Sequence, residues 1–153
     1  MRQGGEKMKS GAKVKKVQLT VSQKNESALI GIVSAEPDYK LSLSINRKFR
    51  LKLKHQSPIV ISDEKGEEHT FSRFADSSSA HDLAIDLTSN RSGKFFFLKK
   101  LKNIDYLLVV QNYEEEAFVA KFISDLKEIE CISAVFIIDQ ALIKDKNLQY
   151  IIQ

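Results

Sequence analysis

From Ile104 to Val110 every residue except Asp105 is apolar or aromatic: Ile104-Asp105-Tyr106-Leu107-Leu108-Val109-Val110. Successive side chains of a strand point to opposite faces, so a run of this kind is expected as a central strand buried on both sides. Together with the residues after it, this run fits a β-α-β unit. Asn112 and Glu115 have the three-residue spacing of a capping box, and Glu114, Glu115 and Glu116 suit the positive end of a helix dipole. Phe118, Phe122 and Leu126, with Val119 and Ile123, then form one apolar helical stripe. Val135 to Ile138 reads as a second buried strand, and Asp139 as the cap of a short final helix.

The middle of the chain alternates. Ala28 to Val33 is a short apolar run with Gly31 inside it, consistent with a buried strand. Phe49, Leu51 and Leu53 alternate with Arg50, Lys52 and Lys54, a two-residue period that predicts a strand with its basic residues on one face. Asp63-Glu64-Lys65-Gly66 predicts a tight turn between the apolar piece Pro58 to Ile61 and a strand through Thr70 to Phe74. Leu83, Ile85 and Leu87 predict a half-exposed strand. Ser89 to Gly93 predicts a turn, and Lys94 to Leu98 a returning strand, so this third of the chain resembles an antiparallel meander. Asp38 to Phe49 fits both periods: Tyr39, Leu41, Leu43 and Ile45 alternate, while Leu41, Ile45 and Phe49 recur every four. It is assigned as a helix because Pro37 and Asp38 make a suitable start and a strand candidate follows directly. Val14, Val17, Leu19 and Val21 suggest a further strand near the N-terminus.

Composition sets the outer bounds. The 153 residues fit one domain, long enough to fold without a disulfide or a metal. The expected division is a basic, disordered tail over residues 1–12 and a single domain over 13–153. The one cysteine, Cys131, lies in an apolar stretch and reads as a small buried hydrophobe; a lone cysteine argues against an extracellular disulfide-stapled fold. No apolar run approaches the ~20 residues of a membrane-spanning helix, and no signal peptide is visible. A cytoplasmic location is therefore expected, and the glycosylation patterns at Asn25 and Asn90 carry no weight there. Residues 1–24 hold seven Lys/Arg against one acid, leaving seventeen bases and nineteen acids in the rest, so the net charge of +4 belongs to the N-terminal arm.

At Leu98-Lys99-Lys100-Leu101-Lys102-Asn103-Ile104-Asp105-Tyr106 the chain resembles the IPExxxVDY family, small bacterial proteins of unassigned function. Ile104-Asp105-Tyr106 matches the end of that motif with isoleucine for valine; Lys99 and Lys100 stand where the family has Pro and Glu. Leu29-Ile30-Gly31-Ile32, Asp38-Tyr39-Lys40-Leu41 and Ser89-Asn90-Arg91-Ser92-Gly93 are similar in order and spacing. The resemblance covers most of residues 28–138. It implies a fold, adds weight to the helix at Asp38 to Phe49, and implies no activity. In structural terms Ile104 opens the buried strand, Asp105 is placed to cap turn amides, and Tyr106 fills a core edge with its hydroxyl seeking a partner. The expected fold class is α+β: a mostly antiparallel, mixed sheet with two main helices packed on it.

The chemistry-bearing residues are expected to be scattered. His55, His69 and His81 fall on different elements at spacings that match no zinc motif. His81 with Asp82, near Asp76 and Asp86, is the best base or metal candidate, but Asp82 and Asp86 fall on the polar face of a strand. Ser77 to Ser79 lack a nucleophile elbow and no Gly-rich phosphate loop exists, so no catalytic residue, metal or cofactor is assigned. Basic residues cluster instead. Arg50, Lys52 and Lys54 form one group beside Arg47 and Lys48. Lys94, Lys99, Lys100 and Lys102 form another, and Lys13, Lys15 and Lys16 a third. Phe95-Phe96-Phe97 offers a stacking platform or a subunit contact, with Phe96 as the candidate ring.

These residues support three functions, in order of preference. The first is a non-catalytic interaction module, self-associating as a homodimer or bound to another protein. Its basis is the phenylalanine run and an apolar tail, Leu148-Tyr150-Ile151-Ile152, without an evident place in the core. The second is a nucleic-acid-binding, RNA-type accessory protein using Arg50, Lys52, Lys54 and the basic arm. The third is a small enzyme using His81 and Asp82.

Overall fold

The structure is a computed structural model that describes residues 27–76 and 83–152. Its elements are β1 (Ser27–Val33), α1 (Asp38–Phe49), β2 (Lys54–Ser62), β3 (Glu68–Asp76), β4 (Ala84–Ser89), β5 (Arg91–Ser92), β6 (Phe95–Phe96), β7 (Tyr106–Gln111), α2 (Glu116–Leu126) and β8 (Ala134–Ile138), with 3₁₀ turns after them at Gln140–Leu142 and Lys146–Tyr150. Six strands form one sheet in the order β2-β3-β4-β7-β1-β8, every neighbouring pair antiparallel. The fold is α+β. The C-terminal β-α-β unit exists as β7-α2-β8, split by β1, which lies between its two strands.

The apolar run does what its pattern dictates. Tyr106, Leu108 and Val110 of β7 join the cluster under the helices, with Ile30 and Ile32 of β1, Leu41 and Ile45 of α1, and Val119, Phe122 and Leu126 of α2. Phe49 stacks on Phe122 with ring centroids 4.2 Å apart, joining the two helices. Leu107 and Val109 face the other way, into a second cluster with Leu29, Phe71, Phe97, Leu98 and Ile104. Among the described residues no α-helix covers this second face. Irregular chain does, namely residues 97–104 and the C-terminal turns. Each of these fully buried aliphatic side chains contributes roughly 1.5–3 kcal/mol.

Residues 104–106 tie the layers together. The Asp105 carboxylate accepts from the Ser34 amide at 2.9 Å and from Arg91 Nε at 2.7 Å. The Tyr106 hydroxyl donates to the Glu36 carbonyl at 2.6 Å, and burial, helped by the nearby acids Asp38 and Asp105, pushes its pKa up to about 12. Ile104 packs where Gly31 leaves room: a Cβ at Gly31 would sit 2.9 Å from Ile104 Cδ1. Asn90 is fully buried. Its side-chain nitrogen donates to the Leu101 and Ile104 carbonyls at 2.8 and 3.0 Å, and its oxygen accepts from the Leu98 amide at 2.8 Å.

Several expectations are corrected. No strand runs through residues 49–53: α1 ends at Arg50 in the left-handed conformation (φ 57°), and residues 51–53 are extended linker. The Asn46 amide clamps Leu53 through both its N–H and C=O, and Asp76 accepts from the Lys52 amide at 2.7 Å, so local side chains satisfy this backbone in place of a ladder. The Lys94–Leu98 strand is only Phe95–Phe96, paired with Arg91–Ser92 in a separate hairpin; Phe97 turns inward and is fully buried. Asn112 does not cap α2. It takes a positive φ of 65°, and Glu115 occupies the cap position without a side-chain bond. β8 is an edge strand with Phe136 and Ile137 exposed, not a strand buried on both faces. The apolar tail has a place after all: Ile151 is buried in the second cluster, with Leu148 and Ile152 packed against it. Among the described residues no helix is long and apolar enough to cross a membrane.

Candidate ligand-binding cleft

On the second face, three pieces of chain meet without closing over one another. They are the tip of the β2–β3 hairpin, the small β5–β6 hairpin with the loop after it, and the C-terminal segment 143–147. Between them lies a cleft of about 750 Å³, within the range of small-molecule sites. Ile61, Phe71, Leu98 and Ile143 give it an apolar lining.

One wall is built by a turn. Gly66, at φ +83°, reverses the chain, and the Asp63 amide donates to the Glu67 carbonyl at 2.8 Å. Asp63 Oδ1 accepts from the Lys65 and Glu67 amides at 2.8 and 2.9 Å, while Oδ2 lies 2.9 Å from His69 Nε2. The His69 ring stacks on Phe95 at 3.6 Å between centroids, which couples the β2–β3 tip to the β5–β6 hairpin. The Asp63 and His69 side chains are 19% and 13% exposed. The bond from His69 holds the Asp63 carboxyl below its ordinary range, and the two amides add to this against the opposing effect of burial. A depressed carboxyl contributes stability above its unfolded pKa and loses it as pH falls through the folded value. Asp63→Asn is therefore expected to lower the denaturation midpoint at pH 7, with the gap to the parent chain closing below about pH 4. Chemical denaturation across that range checks it; a gap independent of pH would contradict it.

Asp63, Glu67 and His69 each offer one ligand atom, and the three atoms lie within 4.8 Å of one another. Two carboxylates and an imidazole are a donor set that suits Zn²⁺ and similar cations. Asp63 Oδ2 and His69 Nε2 already satisfy each other, so a cation would have to displace that bond. The expectation that polar groups are scattered over separate surfaces is thus overturned: two acids and an imidazole gather beside one cleft. The readable signal was the turn at Asp63 to Gly66. In an antiparallel hairpin the residues flanking such a turn must meet, and Ile61 indeed pairs with His69.

All three pieces contribute basic residues: Lys65 from the turn itself, the others from the loop after the β5–β6 hairpin and from the C-terminal segment. Lys65, Lys99, Lys100, Lys144 and Lys146 line the cleft, all exposed, and none enters an ion pair among the described residues. Asp145, between the last two, is occupied: its oxygens accept from the Lys99 and Asn147 amides, both at 3.0 Å. Asn147 is buried and donates to the Phe97 carbonyl at 2.9 Å, fixing the C-terminal wall.

Only some of the residues singled out in the sequence reach this cleft. Lys99 and Lys100 do. Phe96 lines it with Arg91 above its ring, 4.8 Å from the centroid. Arg50, Lys52 and Lys54 do not, because they lie at the end of α1, in the linker and at the first residue of β2, a nine-residue strand of roughly 25 Å whose far end borders the cleft. Lys13, Lys15, Lys16, Ser77 to Ser79, His81 and Asp82 lie outside the described residues, as do the N-terminal tail and the strand suggested at Val14 to Val21. Asp86 is not on a simple solvated face: Arg73 holds it through two nitrogens at 2.7–3.1 Å, and Thr88 beside it is buried. His55 packs edge-on against Phe74, and Cys131, half-buried, lies 3.7 Å from the Ser44 hydroxyl. Comparison with protein-family models, with curated proteins and with solved structures finds no match.

Proposed function

We propose that this chain is a non-catalytic binding module that takes a phosphate-bearing ligand into the cleft. The carrying observation is the charge arrangement: five lysines that enter no ion pair among the described residues line one cavity against four acids, of which Asp63 and Asp145 are already hydrogen-bonded to the protein and Glu64 and Glu67 are exposed. An anion entering there meets several ammonium groups, and Phe95, 44% exposed, leaves part of its ring accessible to an apolar or planar portion. The Asp63–His69 bond builds the wall in this reading. We place the module in the cytoplasm, in keeping with its single cysteine.

Adenosine triphosphate serves as a probe that combines a ring with phosphates. Titration calorimetry is expected to detect binding that weakens as salt is raised and falls at least roughly tenfold in Lys99→Glu/Lys144→Glu, a loss of about 1.4 kcal/mol or more. Absence of binding at low salt, or equal affinity in the double variant, would remove the proposal. The exposure of Phe95 beside Lys99 and Lys100 favours a second reading, single-stranded RNA, since stacked rings and lysines are the means by which such strands are held. Oligouridylate binding tightly where the nucleotide does not would select it.

A further inference from the structure

The two edges of the sheet are unlike. β2 carries the defences usual on an exposed edge: a bulge between Gln56 and Ile59, Pro58 within it, and Lys54 and His55 at its start. β8 carries none of these. It is Ala134-Val135-Phe136-Ile137-Ile138, regular in register against β1, without charge or proline. Among the described residues nothing pairs with its outer side. Phe136 is 51% and Ile137 65% exposed, one on each face of the sheet, so the free edge is also apolar above and below. An edge of this kind is a template for another strand.

We infer that β8 pairs with β8 of a second copy of this chain, antiparallel about a two-fold axis at Phe136, joining two six-stranded sheets into one. Two features select a second copy as the occupant. The blocked β2 edge removes head-to-tail growth, so the open edge left for pairing on a second molecule is β8 itself, and the contact closes at two. Residue complementarity also fixes the register. Centred on Phe136, Val135 lies opposite the second copy's Ile137, Ala134 opposite its Ile138, and the two Phe136 rings meet directly. Asp139 then faces Ser133, a hydroxyl donor, and no like charges are opposed. A shift of the axis to Ile137 would set Asp139 against Val135. The pairing leaves the cleft free, since neither Phe136 nor Ile137 lines it.

Sedimentation equilibrium of the full chain over roughly 1–100 µM tests this, a range in which a dimer with micromolar affinity shifts from one species to the other. The expected result is twice the 17.4 kDa chain mass, reduced to 17.4 kDa in Phe136→Lys, with the circular dichroism and thermal transition of that variant confirming that it folds. Val60→Lys, at the exposed opposite edge, is expected to remain a dimer. A monomer at every concentration would overturn the inference. So would a dimer that survives Phe136→Lys or dissociates in Val60→Lys, either of which places the contact elsewhere.

Discussion

Replacing Asn90 by alanine is expected to lower stability by about 3–5 kcal/mol, the largest single-residue effect outside the apolar clusters. The side chain is fully buried and satisfies three backbone groups: the Leu98 amide and the Leu101 and Ile104 carbonyls. Its own backbone adds two more bonds, from its amide to the Asp105 carbonyl at 2.9 Å and from the Phe97 amide to its carbonyl at 2.8 Å. Alanine keeps the backbone pair and leaves three polar groups without partners, each costing roughly 1–2 kcal/mol where water cannot reach. The covering layer of residues 97–104 has no helix or ladder of its own, so Asn90 stands in for one. Aspartate is not a rescue: it accepts from Leu98 but turns acceptor oxygens toward two carbonyls. For a chain of this size the midpoint should fall by about 10 °C or more. A loss within about 1 kcal/mol would mean that burial of Phe97, Leu98 and Ile104 alone holds the layer. Because Lys99 and Lys100 ride on this loop, the same substitution should also weaken the proposed anion binding before the protein melts.

Asp105→Ala is expected to cost about 2–3 kcal/mol, and its components are separable. Ser34, whose amide the carboxylate accepts, is 4% exposed, so that N–H is stranded on truncation. Arg91, the other partner, has a half-exposed side chain that water can solvate, and its ion pair contributes little. Asp105→Asn keeps an acceptor for the Ser34 amide and should recover more than half of the loss. Arg91→Ala should cost under about 1 kcal/mol. Urea denaturation of the three variants checks the order. Equal losses for alanine and asparagine, or a larger loss for Arg91→Ala, would reverse the assignment and make charge, not the buried amide, the main contribution.

Both residues illustrate what the sequence could and could not disclose. Ile104-Asp105-Tyr106 read as a structural motif, with Asp105 on turn amides and a partner for the Tyr106 hydroxyl, and the contacts are of that kind. The role of Asn90 was hidden, because its partners lie eight to fourteen residues ahead in a loop that has no periodicity. The stretch Leu51-Lys52-Leu53 alternates like a strand, yet Asn46 and Asp76 occupy its backbone groups; alternation describes any extended chain with one side against a core, paired or not. Val135 to Ile138 misled in the opposite way. A short apolar run is equally compatible with a central strand and with an edge whose outer face awaits a partner.

The local periods of the side chains determined on their own that α2 buries one stripe and that β7 needs a cover on both faces, whereas Asp38 to Phe49 fits both periods and reads as the helix α1 through its Pro37-Asp38 start. These are properties of neighbouring residues, set by the geometry of one helix or one strand. Strand order, the identity of the edges and the cleft were decided only in three dimensions. They depend on contacts such as Lys99 with Asp145, 46 residues apart, and Ser34 with Asp105, 71 apart, whose pairing arises from how the layers close and is written in no local pattern. A cleft assembled from three separated segments is a consequence of packing, which is why its lysines could be counted beforehand but not brought together.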